Sequence, residues 1–306
     1  MTVTWHVGAI LNEPLSETLR FAAWYLDAGA DGLTLMFDNP QDPAIGVLGD
    51  HPKITCIPCT PEFWQARGLT QDTRFTKRQN AALTWAYQQQ GCGWLLNVDA
   101  DEFMYVADGD IAGFLAGVSA DVDTVRVETA EIVDHEGVGN VYRMAMERDA
   151  ARRIYQDSIG LFGPRRQGLI GHSQGKSFTR GGLDGVSLRQ HWPQRQEPLN
   201  DQVVKAGVGM ALLHHIGLDY DVWRAKLTWR IQSRGFTVPL SARITEAMEA
   251  EDAEAQLRAL HADLHGVDGD RLDRMRAEGA CIELDTSPDA VARRVFGDLY
   301  VAAQSA

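Results

Sequence analysis

Residues 3 to 98 alternate between two hydrophobic periods, and that alternation constrains the fold more than any other feature of the chain. Apolar runs at Val3 to Leu11, Leu33 to Phe37, Lys53 to Ile57 and Trp94 to Val98 have the length and content of buried strands. Helical stretches lie between them. Ser16 can cap one that carries Leu19, Ala22, Ala23 and Leu26 on one face and stops at Gly29. Another spans Thr76 to Gln90, with Leu83, Ala86 and Tyr87 inward. Such repetition predicts right-handed crossovers and an α/β fold, a mostly parallel sheet flanked by helices. A fifth strand is expected at Thr124 to Glu128. From 134 to 215 the pattern is irregular, and irregular segments on a rigid scaffold often carry recognition. From Asp221 the chain reads as a helical C-terminal extension, with a stripe of Ala253, Leu257, Leu260 and Leu264 and a last helix opened by Ser287-Pro288. The expected division is a catalytic domain over 1–220, in halves 1–110 and 111–220, followed by the extension over 221–306.

The chain has 306 residues, 44% hydrophobic, with 8 Trp, enough for a sizeable core. Its net charge of −13 argues against nucleic acid or an anionic membrane as a general partner. No apolar run reaches the ~20 residues of a membrane span. The start lacks the basic and apolar regions of a signal peptide. The four cysteines form no disulfide framework, which fits a reducing cytoplasm. Cys56-Ile57-Pro58-Cys59 has redox spacing, but it reads more simply as a strand running into a turn, with Thr60-Pro61-Glu62 starting a helix.

The run from Trp94 ends in Asp99-Ala100-Asp101-Glu102. In open α/β sheets the carboxyl ends of strands are where ligands sit. Clustered carboxylates repel each other and resist burial, so a cation is expected to hold them. Hard oxygen donors favour Mg²⁺ or Mn²⁺, ions that commonly bridge to substrate phosphates. The plainer reading is a polar strand end entering a loop.

Three further elements occupy corresponding places. Asn12-Glu13 follows the first strand, Asp38-Asn39 the second, and Lys77-Arg78-Gln79-Asn80 opens the helix before the acidic cluster. This order resembles the GT-A glycosyltransferases, in particular their family-2-like, DxD-containing branch. The second element, Asp38-Asn39-Pro40-Gln41-Asp42, lacks the serine usual there. The resemblance covers residues 1 to about 110 well. It runs more loosely to about 235, through Gly175-Lys176-Ser177, His191, His214-His215 and Tyr220 to Arg234.

The resemblance implies a GT-A fold and a metal-dependent transfer of a sugar from a UDP- or GDP-sugar to a hydroxyl of a glycan or similar acceptor, with inversion. It places the chain in the hexosyltransferase class and suggests polysaccharide biosynthesis, in the cytoplasm or peripheral to the inner face of the membrane. Carried over by position, it implies donor binding by Asn12, Glu13, Asp38, Arg78 and Asp99, and a metal at Asp99 and Asp101. The physical chemistry agrees. Carboxylates accept hydrogen bonds from ribose and base, and a guanidinium suits a phosphate. Taken singly, Glu13 and Asp38 could equally be strand-end turn residues.

Other residues are less specific. Gly171-His172-Ser173-Gln174-Gly175-Lys176-Ser177 is one residue short of a P-loop, and no helix start follows it. Lys176 and Arg180 alternate on a strand-like piece, where Lys176 is a candidate phosphate contact and surface charge is the alternative. His214 is the preferred third metal ligand, ahead of His191. His214 and His215 should face opposite ways, so at most one can serve. An inverting transfer needs a general base, for which Glu131 and Asp134 are the leading candidates, with Glu136, Asp184 and Glu197 behind them. Two other functions fit parts of the chain: a nucleotidyltransferase of related fold, and a non-catalytic carbohydrate-binding or scaffold protein.

Overall fold

The computed structural model describes residues 3–233 and 235–305. Met1, Thr2, Arg234 and Ala306 lie outside the described residues, and with them the first two residues read against a signal peptide and the end of the Tyr220 to Arg234 segment. Along the chain the strands are β1 (Trp5–Leu11), β2 (Gly32–Phe37), β3 (Ile54–Pro58), β4 (Trp94–Asn97), β5 (Glu102–Val106), β6 (Thr124–Val127), β7 (Thr129–His135) and β8 (Asn140–Met144). They continue as β9 (Lys176–Arg180), β10 (Ser187–Leu188), β11 (Pro193–Gln194), β12 (Asp201–Val204), β13 (Met210–His214), β14 (Gly266–Val267) and β15 (Cys281–Leu284). The chain folds as two compact units. One holds residues 3–127, 175–204 and 287–305, the other 128–174 and 205–286.

The first unit is a mixed α/β structure around a seven-stranded sheet ordered β12-β6-β9-β4-β1-β2-β3. Strands β4, β1, β2 and β3 are parallel, as the alternation predicts. Their registers pair Gly8 with Asn97, Leu11 with Phe37 and Phe37 with Pro58. The carboxyl ends of β1, β2 and β4 therefore meet at one edge. Strand β4 is buried throughout because helices cover the sheet. The helix Phe75–Gln88 turns Ala82, Leu83, Ala86 and Tyr87 into a cluster with Ile10, Met36 and Leu95. Truncating Leu95 to Ala there should cost about 2–5 kcal/mol.

The helix Leu15–Asp27 begins after Pro14, with no side-chain cap. Ser16 sits inside its first turn rather than capping it, because the rigid proline already sets the entry. Its end is as expected, with Gly29 at a φ of +83° that a side chain would strain. Tyr25 on this helix donates its hydroxyl to the Glu102 carbonyl at 2.9 Å and accepts the Met104 N–H at 3.1 Å, fixing β5 directly after the acidic turn. Ser287 accepts from the Ala290 N–H, so the last segment is capped as read. The helix that follows, Pro288–Phe296, lies on Leu15–Asp27 and places Arg294 2.6 Å from Asp27.

Strand β9 is the main departure from the expected irregularity of 134 to 215. Lys176-Ser177-Phe178-Thr179-Arg180 reads as polar, yet it runs antiparallel between β4 and β6 in the middle of the sheet. Lys176, Ser177 and Thr179 are buried there.

The second unit has a sheet in which β15, β8 and β7 are antiparallel in turn and β13 lies parallel to β7. Strand β14 adds to the other end of β7. Helices Tyr220–Gln232, Val238–Glu249, Ala253–His265 and Gly269–Ala277 supply most of its core, including Trp223, Leu227, Ile244, Leu257, Leu260 and Leu264. No helix among the described residues is long and apolar enough to cross a membrane.

Candidate active site

Strand β4 delivers its carboxylates through a closed turn. The Asp99 N–H donates to Glu102 Oε2 at 2.7 Å, and the Glu102 N–H returns to the Asp99 carbonyl at 3.1 Å. Glu102 is fully buried, so its charge needs a partner inside the protein. Lys176 supplies it from β9, with Nζ 3.2 Å from Glu102 Oε2 and 2.7 Å from Asp99 Oδ2. Burial alone would lower the Lys176 pKa, but Asp99 and Glu102 together hold it above the ordinary lysine value. The cation inferred for the acidic cluster is therefore partly built into the chain. The other Asp99 oxygen accepts from Gln79 Nε2 at 2.6 Å, and Gln190 in turn donates to Gln79 at 2.9 Å. Asn97, the last residue of β4, donates to the carbonyls of Arg189 and Gln190.

The other expected donor residues lie along the same edge. The Asp38 N–H donates to the Leu11 carbonyl, continuing the β1–β2 ladder. Asp38 is ion-paired to Arg78 from the helix Phe75–Gln88. Arg78 Nε donates to the Thr73 carbonyl at 3.0 Å, and its guanidinium lies over Trp64 and Phe75. Asn12 is exposed and Glu13 half-buried just past β1.

Asp101 is half-buried in the acidic turn. Its field reaches Glu17: burial raises the Glu17 pKa most, Arg20 opposes, and Asp289, Glu13 and Asp101 add to the rise. Asp101 thus lies near enough to Glu17 to act on its charge, whereas Asp99 and Glu102 are paired with Lys176. Hard carboxylate oxygens fit a divalent ion such as Mg²⁺ or Mn²⁺. Gln79, Gln190 and Glu17 belong to this edge and are not evident from the sequence. Gln79 does sit inside the quoted Arg78-Gln79-Asn80 run, where helical offset turns it towards Asp99.

Glu131 is held in an internal ion pair. It is fully buried, and Arg143 Nε lies 3.1 Å from its Oε2. The N–H groups of Ile170 and Gly171 donate to the same carboxylate at 2.8 and 2.5 Å. Burial would raise its pKa, but Arg143, His214 and those two amides hold it below the ordinary carboxylate value. A carboxylate so held has little affinity for a substrate proton. A Cβ on Gly171 would come within 2.7 Å of Glu131 Oε1, so glycine is needed there. Asp134 is exposed at the end of β7.

His214 ends β13 opposite Glu131, with Nδ1 3.9 Å from its Oε1 and its ring 5.5 Å from that of His172. His172 in turn meets Thr129 at 3.3 Å. His215 faces the other way, onto the Tyr142 hydroxyl at 3.1 Å, as strand geometry requires. His191 packs its Nδ1 against the Gly175 carbonyl at 3.3 Å. The P-loop-like stretch enters strand β9, not a helix, so it forms no phosphate cradle of that kind. Arg180 is spent on the carbonyls of Val122 and Ser119 and on the face of Trp94. All four cysteines are free, and burial pushes the Cys59 thiol up to about 12.

No family model and no curated protein sequence matches the chain. Among solved structures it is similar to HddC from Yersinia pseudotuberculosis, at 13% identity over 75% of this chain and 100% of that one, with a TM-score of 0.37. It is similar to the mannosyltransferase PcManGT from Pyrobaculum calidifontis in complex with GDP-Man and Mn²⁺, at 10% identity over 100% and 86%, with a TM-score of 0.41. A third likeness, to the galactosyltransferase LgtC in complex with donor and acceptor sugar analogs, has 10% identity over 57% of each chain and a TM-score of 0.29. At such scores these likenesses lend no weight to the role of any residue here.

Proposed function

We propose that the chain is a metal-dependent glycosyltransferase that moves a sugar from a nucleotide-diphosphate donor to a hydroxyl of a glycan or similar acceptor. The observation that carries the reading is the edge of β1, β2 and β4, which gathers Glu13, the Asp38–Arg78 pair, Asp99 and Asp101 at the ligand-binding end of a parallel sheet. Glu13 and Asp38 would accept hydrogen bonds from base and ribose. Arg78, held in place by Asp38 and two aromatic rings, would meet the base or the diphosphate. Asp99, fixed from both sides by Gln79 and Lys176, would orient the ribose and help hold the metal beside Asp101. Lys176 would act on the donor through Asp99, whose carboxylate it positions. When bound, Mg²⁺ or Mn²⁺ would neutralise charge building on the departing diphosphate. Of Glu131 and Asp134, only Asp134 is exposed enough to take a proton from an acceptor hydroxyl in an inverting transfer.

The products test this reading. Release of a nucleoside diphosphate from a nucleotide-sugar supports it. Release of pyrophosphate from a nucleoside triphosphate and a sugar phosphate would replace it with nucleotidyl transfer. Glycan binding with neither turnover nor metal dependence would replace it with the scaffold reading.

A further inference from the structure

On the first unit, a cleft of about 770 Å³ runs along one face of the helix Phe75–Gln88. From this helix it is lined by Lys77, Asn80, Ala81, Thr84, Trp85 and Gln88, positions that share one helical stripe about 16 Å long at 1.5 Å per residue. Arg67 and Arg189 complete its charged lining, and no carboxylate lines it. None of the three cations forms an ion pair with a carboxylate among the described residues. In a chain of net charge −13, three unneutralised cations in one cleft need an explanation. Like charges brought together repel, and an anionic ligand relieves that cost.

The rest of the lining says what else the ligand carries. The Arg67 guanidinium lies 3.5 Å from the Phe63 ring centre and 5.0 Å from that of Trp85, so it is held in place by aromatic faces. Its Nη1 donates to the Phe63 carbonyl, while its Nε and the Asn80 Oδ1 are buried without hydrogen-bond partners. Trp85 is half-buried and offers a flat apolar surface, and Gln88 is exposed at the far end. An extended row of amides and cations beside one indole suits a ligand with many hydroxyls and a charge. It suits a compact base with a phosphate less well.

We propose that this cleft binds an anionic saccharide, its acidic group held by Arg67, Lys77 and Arg189 and a sugar ring packed on Trp85. The inference stands on the cleft alone and requires neither metal nor nucleotide, so its failure would leave the transfer reading standing, and the reverse. The test is calorimetric titration of the full chain without metal, using trigalacturonate, glucose 6-phosphate, neutral maltotriose and inorganic phosphate. The expected result is binding of at least one anionic sugar with a Kd below ~1 mM, at least tenfold tighter than maltotriose or phosphate. That binding should weaken about tenfold or more in Lys77→Gln/Arg189→Gln and in Trp85→Ala. Lys77 and Arg189 are exposed, so the double variant should fold, and circular dichroism checks Trp85→Ala. Equal binding of maltotriose would overturn the role of the charge, and equal binding of phosphate the role of the sugar. Binding of no anionic sugar, or binding unchanged in both variants, would overturn the site.

Discussion

Lys176 Nζ lies 2.7 Å from Asp99 Oδ2, joining a buried central strand to the acidic turn that follows its neighbour β4. The same ammonium faces Glu102, which has no exposure at all. Removing a buried charge's partner leaves an uncompensated ion, which typically costs about 3–5 kcal/mol. Lys176→Met should therefore lower stability to urea by that order. Adding Glu102→Gln should recover part of the loss, because the stranded charge is removed with it. Additive losses in the double variant would contradict the pairing.

Asp101→Ala should behave differently. Asp101 is half-buried, and the turn is closed by the hydrogen bonds between Asp99 and Glu102. The variant should unfold within about 1 kcal/mol of the parent, as surface changes usually do. Transfer activity should fall by about 100-fold or more, as expected when electrostatic stabilisation of a leaving group is lost.

Arg78 is expected to act on donor affinity. Arg78→Lys keeps the charge but loses the planar fork, and the two side chains are not interchangeable at such a site. Nucleoside diphosphate binding, measured by calorimetry, should weaken about tenfold or more in Arg78→Lys. Unchanged affinity would remove Arg78 from the donor site.

Glu131 sets an acid limit on stability. Its folded pKa is held below the ordinary value, so its stabilising contribution is present above the unfolded value of about 4.3 and is lost as pH falls through the folded value. Glu131→Gln should be less stable than the parent near neutrality, because Arg143 is left buried without its partner. The gap should narrow as pH falls below about 4. A gap independent of pH would mean that Glu131 is not ionised in the folded protein.

The parallel half of the sheet was legible because its signals are local. Apolar runs, Gly29 past a helix and Ser287-Pro288 at the start of another each act over a few residues. The edge residues Asp38, Arg78 and Asp99 were legible for the same reason, since they follow strands or open a helix. Strand β9 read as a strand-like piece, but its burial in the middle of the sheet was hidden, because Lys176, Ser177 and Thr179 are polar and their burial depends on partners distant in the chain. Lys176 read as a candidate phosphate contact or a surface charge, and the pairing with Asp99 and Glu102 that buries it joins residues far apart in the chain. Glu131 read as a candidate base because it follows an expected strand, and the sequence does not show that Arg143 lies beside it.

The most direct measurement is thermal unfolding with each nucleoside diphosphate, with and without Mn²⁺, in the parent chain and in Asp101→Ala. A ligand that binds only the folded state raises the midpoint by mass action. The expected result is a rise with one nucleotide that requires Mn²⁺ in the parent and disappears in Asp101→Ala. No rise with any nucleotide, or the same rise in Asp101→Ala, would contradict a metal-dependent donor site at the β4 edge.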